Sequence, residues 1–134
     1  MWVHIILASS NVVFLPALIK AVALTHWWHA LCVLTVASAS VFMHVTETKH
    51  GLIPSPALRA WAPVALCIDR AVSISVTAYF LCVRFTIIGS PMVKVAVCGL
   101  VFSAVGELTS HLFLYVICHI LWHSAAGFLL FVVV

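Results

Sequence analysis

Two histidines four residues apart are the part of this sequence best suited to chemistry. His119 and His123 lie in an otherwise apolar stretch, CHILWHS at residues 118–124. Side chains at this spacing share one face of a helix, with Cβ atoms about 6 Å apart, which suits two nitrogens that converge on one metal ion. Alternatively, the two imidazoles bind no metal and pair only with backbone carbonyls. Ionisable groups are costly at bilayer depth, so the partners of these residues must decide between the alternatives.

The composition places this stretch in a membrane. Of the 134 residues, 66% are hydrophobic and 7% are charged, and the mean hydropathy is +1.29, whereas soluble domains are about half apolar and a quarter charged. A spanning helix needs about 20 residues, so the chain has room for four or five helices. We therefore predict an all-α, multi-pass integral membrane protein whose residues 1–134 form a single transmembrane bundle. The sequence does not indicate which membrane.

Charges and cysteines narrow the range of partners. The formal charge is +3, and the six basic residues are scattered singly, which argues against a tract that binds nucleic acid. Membrane lipids and other membrane-protein subunits are the expected partners. The five cysteines are odd in number and include no C-x-x-C pair, which argues against a disulfide framework and against thiolate ligation of a metal. No Lys or Arg precedes the first apolar run, which argues against a cleavable signal peptide.

The apolar runs predict about five helices in alternating direction. They cover residues 1–24, 28–46, 61–83, 92–108 and 112–134. Pro16 should kink the first helix, and residues 47–60, rich in Gly and Pro, should form the only substantial loop. His26 and His29 have the spacing of a ligand pair, but they flank paired tryptophans at the first turn. We expect them to be surface residues at the membrane interface.

Alternation of the helices brings polar residues from three of them to one level. We define side A as the side of the membrane on which the long loop lies. His44 lies about one turn before side A, and Ser40 shares its helix face at i and i+4. At 1.5 Å per residue, Asp69 is about 13 Å from side A, and His119 and His123 are about 10 to 17 Å from it. These five side chains therefore fall in one slab of the bilayer, which favours a shared site.

Three imidazoles with an open fourth position are the ligand set of a catalytic zinc site. His44, His119 and His123 would hold one zinc ion, which lowers the pKa of bound water to about 7. Asp69 could act as a general base near that water. The Ser40 hydroxyl could orient the water or stabilise an oxyanion.

Each of the polar residues has a plainer alternative. Asp69 could instead form an ion pair with Arg70 or Arg84, and Ser40 could bond to the carbonyl four residues earlier. Glu47 and Glu107 are expected at the interfaces, where water can solvate them. Asp69 is therefore the carboxylate predicted for the site.

The combination of these motifs resembles the CREST superfamily of membrane hydrolases, which includes alkaline ceramidases and the adiponectin and progestin receptors. The residues that carry the resemblance are Ser40-x-x-x-His44, Asp69 in the next helix, and His119-x-x-Trp122-His123. The branch that contains myomaker and the GPI-directed phospholipase A2-like proteins is the most similar, through FMH at 42–44, CIDR at 67–70 and HILWHSAAG at 119–127. The resemblance covers most of the chain from residue 38 onward.

This resemblance implies a zinc ion held by the three predicted histidines, with Asp69 and Ser40 around the metal-bound water. It also implies hydrolysis of an amide or ester bond in a lipid. Family members have seven helices, whereas this chain has room for about five, so a pair is missing between the Asp69 helix and the last one. The loss of a pair preserves the alternation of the helices but removes much of the wall around a lipid pocket.

Three functions are compatible with the sequence. The first is a zinc-dependent intramembrane hydrolase of a lipid amide or ester. The second is a non-catalytic accessory or structural subunit of a larger membrane complex, in which the polar residues are inherited or structural. The third is a haem b anchor, with one histidine of the second helix and one of the fifth as axial ligands, which leaves the third histidine and Asp69 without a role. Metal content distinguishes the three.

Overall fold

Five long apolar helices dominate the computed structural model, which describes residues 2–84 and 89–134. The helices are α1 (Trp2–Ser9), α2 (Leu15–Ala23), α3 (Trp27–Thr46), α4 (Pro56–Arg59), α5 (Ala62–Val83), α6 (Ser90–Leu108) and α7 (Leu112–Val133). The first span, Trp2–Ala23, contains both α1 and α2, and the other four spans are α3, α5, α6 and α7. All five are long and apolar enough to cross a membrane. The prediction of an all-α bundle of five membrane helices is confirmed.

The predicted bounds of the long helices agree with the structure to within two residues, although Met1 lies outside the described part. α6 begins at Ser90, two residues earlier than predicted, because Pro91 is tolerated in the first helical turn, where its missing N–H leaves no hydrogen bond unmade. The predicted loop at 47–60 contains a 3₁₀ turn (Lys49–Gly51) and the single-turn helix α4. The chain therefore returns from α3 to α5 through short helical pieces.

The predicted kink at Pro16 takes the form of a 3₁₀ segment, Ser10–Phe14, between α1 and α2. Proline has no N–H to donate to the carbonyl four residues earlier, and its ring clashes with that carbonyl. The backbone upstream of Pro16 tightens as a result. The tightened segment contains Ser10 and Asn11, two polar residues in the middle of the first span.

The first span packs between α3 and α7, while α5 packs on the flank of α3 and α6 packs on the flank of α7. Gly127 permits the close approach of α7 to the first span, because a Cβ at this position would lie 2.6 Å from the carbonyl oxygen of Val13. α3 and α7 are therefore held at the two sides of the first span. Their facing side chains meet across the space between them.

Two apolar clusters lie on either side of this meeting point. Toward side B, the side opposite the long loop, the larger cluster includes Phe14, Val33 and Phe80. Toward side A, a smaller cluster contains Leu7, Leu52 and Tyr115. The layer between the two clusters is where the structure places the polar residues of α3 and α7.

Candidate metal centre

Three histidines from two helices meet in the layer between the apolar clusters. One nitrogen from each of His44, His119 and His123 lies within 4.8 Å of the others. The ring of His44 is centred 4.5 Å from that of His119 and 5.2 Å from that of His123. All three side chains are buried, and His44 has no exposed surface. Three predicted ligands from α3 and α7 are thus brought together with a spacing that could hold one metal ion.

Glu47 is hydrogen-bonded to Nδ1 of His44. In His44 and His123 we call Nδ1 the outer nitrogen and Nε2, which faces the other ring, the inner nitrogen. The Nδ1–H of His44 donates to Oε2 of Glu47 at 3.2 Å, and the hydroxyl of Tyr115 donates to the other carboxylate oxygen. Burial raises the pKa of the Glu47 carboxyl, but the hydrogen bonds from His44 and Tyr115 and the electrostatic effect of His44 and His119 together lower it more, so the pKa lies below its ordinary value. An ionised carboxylate only accepts hydrogen bonds, so the hydrogen of His44 is fixed on Nδ1.

Ser10 holds the outer nitrogen of His123 in the same way. The Ser10 hydroxyl donates its single hydrogen to the carbonyl of Leu7 at 2.6 Å, and its oxygen lies 2.6 Å from Nδ1 of His123. Because that hydrogen is already committed, the Ser10 oxygen accepts from the Nδ1–H of His123. In the neutral ring, the lone pair of His123 is therefore on Nε2.

The two inner nitrogens face each other at a distance suited to a shared metal. Nε2 of His44 lies 3.5 Å from Nε2 of His123. Two nitrogens bound to one tetrahedral zinc at about 2.0 to 2.1 Å would be about 3.3 to 3.4 Å apart. Since both neutral rings carry their hydrogen on Nδ1, two lone pairs point into the same space, and a cation there satisfies both. The donor set fits a metal ion.

His119 completes the group from the same face of α7. Its ring is centred 4.8 Å from that of His123 and 5.1 Å from that of Tyr115. Within residues 2–84 and 89–134 the structure gives its side chain no hydrogen bond, so its nitrogens are available to a ligand. Tyr115, His119 and His123 follow one another at intervals of four, which aligns them along one helix face.

Ser40 lies at the inner edge of the group. Its hydroxyl oxygen is 3.3 Å from Nε2 of His123, and the side chain is buried. The hydroxyl thus reaches the space shared by the inner nitrogens. This is the position from which it could contact a ligand at the open side of the group, and its predicted chemical role stays a prediction.

Asp69 is half-buried on α5, and no protein donor in the described part of the chain is hydrogen-bonded to its carboxylate. The ion pair considered for it does not form there, because Arg70 pairs with Glu107 at 3.4 Å. No described ion pair links Asp69 with Arg84 either. Its carboxylate is therefore uncommitted, and its role as a general base stays a prediction.

Two expectations about polar residues are wrong. Glu47 is not solvated at the interface: it is 5% exposed and is bound to His44 and Tyr115. His29 is not a surface residue, because it packs against Tyr79 and Phe80 and is 8% exposed. In both cases the residue lies near an end of α3, where water could reach it, but a neighbouring helix covers its side chain.

Sequence reasoning missed four side chains that support the group. They are Glu47, Ser10, Tyr115 and His4, whose Nδ1 donates to the backbone carbonyl of His44 at 2.8 Å. Two had a signal in the sequence, since Glu47 follows His44 by three residues and Tyr115 precedes His119 by four. Ser10 and His4 had none, because the first span reaches the site only through tertiary packing.

Comparison of the chain with protein-family models, curated proteins and solved structures finds no match.

Proposed function

We propose that His44, His119 and His123 hold one zinc ion and that the chain is a zinc-dependent hydrolase of a lipid amide or ester. The observation that supports this most directly is the orientation of two of the rings. Glu47 and Ser10 occupy the outer nitrogens of His44 and His123, so both inner nitrogens carry lone pairs. Hydrogen bonds of this kind to the distal nitrogen are the usual support of a metal-bound imidazole.

A zinc ion with three imidazole ligands and an open position supplies Lewis acidity toward a carbonyl oxygen and toward water. The other roles fall to side chains of the chain itself. The Asp69 carboxylate accepts no hydrogen bond from the described residues, so it can accept a proton from water that enters the site. Ser40 can donate a hydrogen bond to an oxygen that approaches His123 Nε2, which lies 3.3 Å from its hydroxyl.

The position of the site suggests a lipid as the substrate. The histidines are buried within helices that are apolar enough to cross a membrane, about two turns of α7 from side A. α5 packs on α3 and α6 on α7, and an ion pair joins Arg70, eight residues after the start of α5, to Glu107 at the side A end of α6. We propose that a lipid chain enters laterally between these helices to reach Asp69.

The accessory-subunit alternative has an observation in its favour. Only 11% of the α5 membrane window and 17% of the α6 window are buried. In addition, two open cavities on the surface, of about 490 and 760 Å³, are lined by residues other than the three histidines. If neighbouring proteins cover α5 and α6, the metal would pin α3 to α7 and stabilise the fold.

The haem alternative fits the geometry less well. Haem iron takes two axial histidines on opposite faces of a flat macrocycle. In this chain all three rings meet edge to face, with centres 4.5 to 5.2 Å apart. A planar cofactor would have to separate rings that already pack together.

Metal content and lipid hydrolysis test the proposal together. Purified protein should contain about one zinc per chain and should release fatty acid from a panel of ceramides and phospholipids. Asp69→Asn should keep the zinc and lose hydrolysis, which separates the proposed base from the metal ligands. Zinc in the absence of hydrolysis of any lipid would favour the accessory subunit, and a Soret band would favour the haem anchor. Protein without either cofactor would overturn the metal assignment.

A further inference from the structure

One residue of the loop after α3 has a backbone conformation that side chains rarely adopt. His50, in the 3₁₀ turn Lys49–Gly51, has a φ of 55° and a ψ of 30°. This left-handed conformation costs free energy in any residue with a Cβ. The other non-glycine residue with a positive φ in the described chain is Thr25, in the turn between α2 and α3 on side B. The strain at His50 persists because the surrounding structure imposes it, and strain of this kind often accompanies a functional role.

The strained turn lays the ring of His50 on the ring of Tyr115. The two rings are stacked, with their centres 4.1 Å apart and their planes inclined by 25°. Tyr115 has no exposed surface, and Leu52, two residues after His50, packs in the same apolar cluster. Nε2 of His50 is buried and has no hydrogen-bond partner in the described residues, so no polar contact at this nitrogen explains the position of the ring. The stack on Tyr115 is the contact that the strained conformation provides.

Histidine suits this position for two reasons. Together with asparagine and aspartate, it is enriched several-fold among the non-glycine residues that have a positive φ. Of these three residue types, only histidine has a flat aromatic ring that can stack on a tyrosine. A position that requires both a left-handed backbone and a ring is therefore better met by histidine than by phenylalanine or asparagine. Substitution can remove the two properties separately.

Tyr115 connects the ring of His50 to the candidate metal centre. The Tyr115 hydroxyl donates to Oε1 of Glu47, and Oε2 of the same carboxylate accepts the Nδ1–H of His44 at 3.2 Å. Glu47 follows the last residue of α3 and has an extended backbone, with a φ of −60° and a ψ of 136°. The helix therefore does not fix its side chain. Because both carboxylate oxygens lie in one plane, a donor fixed at Oε1 determines which way Oε2 faces.

We propose that His50 is a positioning residue of the metal centre. By stacking on Tyr115, it keeps the Tyr115 hydroxyl against Glu47. Glu47 in turn keeps the hydrogen of His44 on Nδ1 and the lone pair on Nε2, where a metal would bind. This role rests on the proposed metal site and extends its support to the loop, through side chains that do not contact the metal. Replacement of such outer partners typically weakens metal binding.

The zinc affinities of two His50 variants separate the ring from the backbone. His50→Asn keeps a residue type that tolerates the left-handed conformation but removes the ring, and zinc affinity should fall about 3-fold, within the range of one aromatic pair. His50→Phe keeps a ring for the stack and should retain most of the affinity. Competition with a metal chelator measures both, and the visible spectrum of cobalt-substituted protein should change in His50→Asn only. An unchanged affinity in His50→Asn, or an equal loss in His50→Phe, would overturn the proposal.

Glycine substitutions at the two left-handed positions provide a matched control. His50→Gly and Thr25→Gly both relieve a strained residue, because glycine adopts a positive φ without steric cost. Only His50→Gly also removes a ring from Tyr115. Zinc affinity should therefore fall in His50→Gly as far as in His50→Asn and should be unchanged in Thr25→Gly. Equal losses in both glycine variants would show that the ring has no specific role.

A double-mutant cycle tests whether His50 acts through the tyrosine hydroxyl. Tyr115→Phe keeps a ring for the stack but removes the donor to Glu47, and zinc affinity should fall about 5-fold, the effect of one hydrogen bond. Adding His50→Asn to Tyr115→Phe should cause no further loss, because the hydroxyl that His50 positions is already absent. Additive losses would contradict the proposed route. Unmodified protein that binds no zinc would refute the metal site itself, whereas equally tight zinc binding in all these variants would refute only the role of His50.

Discussion

The chain has two groups of histidines at opposite ends of α3, and they differ in what their ring nitrogens face. At the side B end, the rings of His26 and His29 are centred 5.2 Å apart, the same distance as those of His44 and His123 in the candidate metal centre. Nδ1 of His26 faces the backbone carbonyl of Val134 at 3.2 Å, and Nδ1 of His29 has no partner in the described residues. At the side A end, supporting side chains occupy the outer nitrogens of His44 and His123.

Spacing and ring proximity do not by themselves make a ligand site. His26 and His29 are three residues apart on one chain segment, but no third ligand joins them among the described residues. The side A group combines two helices, a third imidazole and an acceptor for each of two outer nitrogens. Because those acceptors fix a hydrogen on each Nδ1, the lone pairs of both rings are on Nε2, and two facing lone pairs favour a cation between them.

The largest expected difference between the two groups is in metal content. His123→Ala removes one of three ligands and the partner of Ser10, so zinc should fall from about one per chain to none, and lipid hydrolysis should stop. His26→Ala should leave both unchanged. Elemental analysis and fatty-acid release on the same preparations check this. Equal loss of zinc in both variants would mean that the side A group is not the metal site.

The sequence predicted the helices and the three histidines well because both follow from local patterns. Apolar run length determined five spans, and the alternation of helices placed His44, His119 and His123 at one depth. The sequence-based prediction failed for Glu47 and His29, which were expected at the membrane–water interface. Tyr115 covers Glu47, and Tyr79 and Phe80 cover His29. Burial of this kind depends on which helices are neighbours, and no local pattern specifies that.

Glu47 should have the next largest effect, because it supplies the only charge that contacts a ligand ring in the described chain. Glu47→Gln keeps an acceptor for the Nδ1–H of His44 but removes the negative charge, and zinc affinity should fall about 10-fold. Glu47→Ala removes the acceptor as well, and the loss should approach 100-fold. Competition with a metal chelator measures both, and the visible spectrum of cobalt-substituted protein should change with them.

The matched control for Glu47 is Glu107→Gln. Glu107 is also a carboxylate near side A, but it pairs with Lys49 and Arg70 instead of a histidine. The zinc affinity of the Glu107→Gln variant should equal that of the unmodified protein. If Glu107→Gln weakened zinc as much as Glu47→Gln, the effect would come from overall charge and not from the bond to His44.

Ser10 should have a smaller effect, because its bond to His123 involves two neutral groups. Ser10→Ala removes an acceptor from the Nδ1–H of His123, and a neutral hydrogen bond contributes about 1 kcal/mol, or about 5-fold in zinc affinity. The neighbouring Ser9→Ala is the control, since Ser9 lines the open surface cavity between the first span and α3. Competition with a metal chelator, as for the Glu47 variants, measures the zinc affinity of both. A loss for Ser9→Ala as large as that for Ser10→Ala would argue against the bond to His123.

The smallest effect is expected at the side B group, where His29→Phe should leave the metal untouched. His29 packs with its ring 5.2 Å from that of Phe80 and 5.9 Å from that of Tyr79, and phenylalanine retains this aromatic contact. The substitution removes a buried nitrogen that has no partner in the described residues, so the free energy of unfolding should stay the same or rise by about 1 kcal/mol. Thermal unfolding in detergent and zinc content measure the two expectations. His44→Phe, the same substitution at the other end of α3, should lose all zinc. If His29→Phe also lost zinc or unfolded much more easily, Nδ1 of His29 would have to bind a ligand, and the two groups would no longer differ in kind.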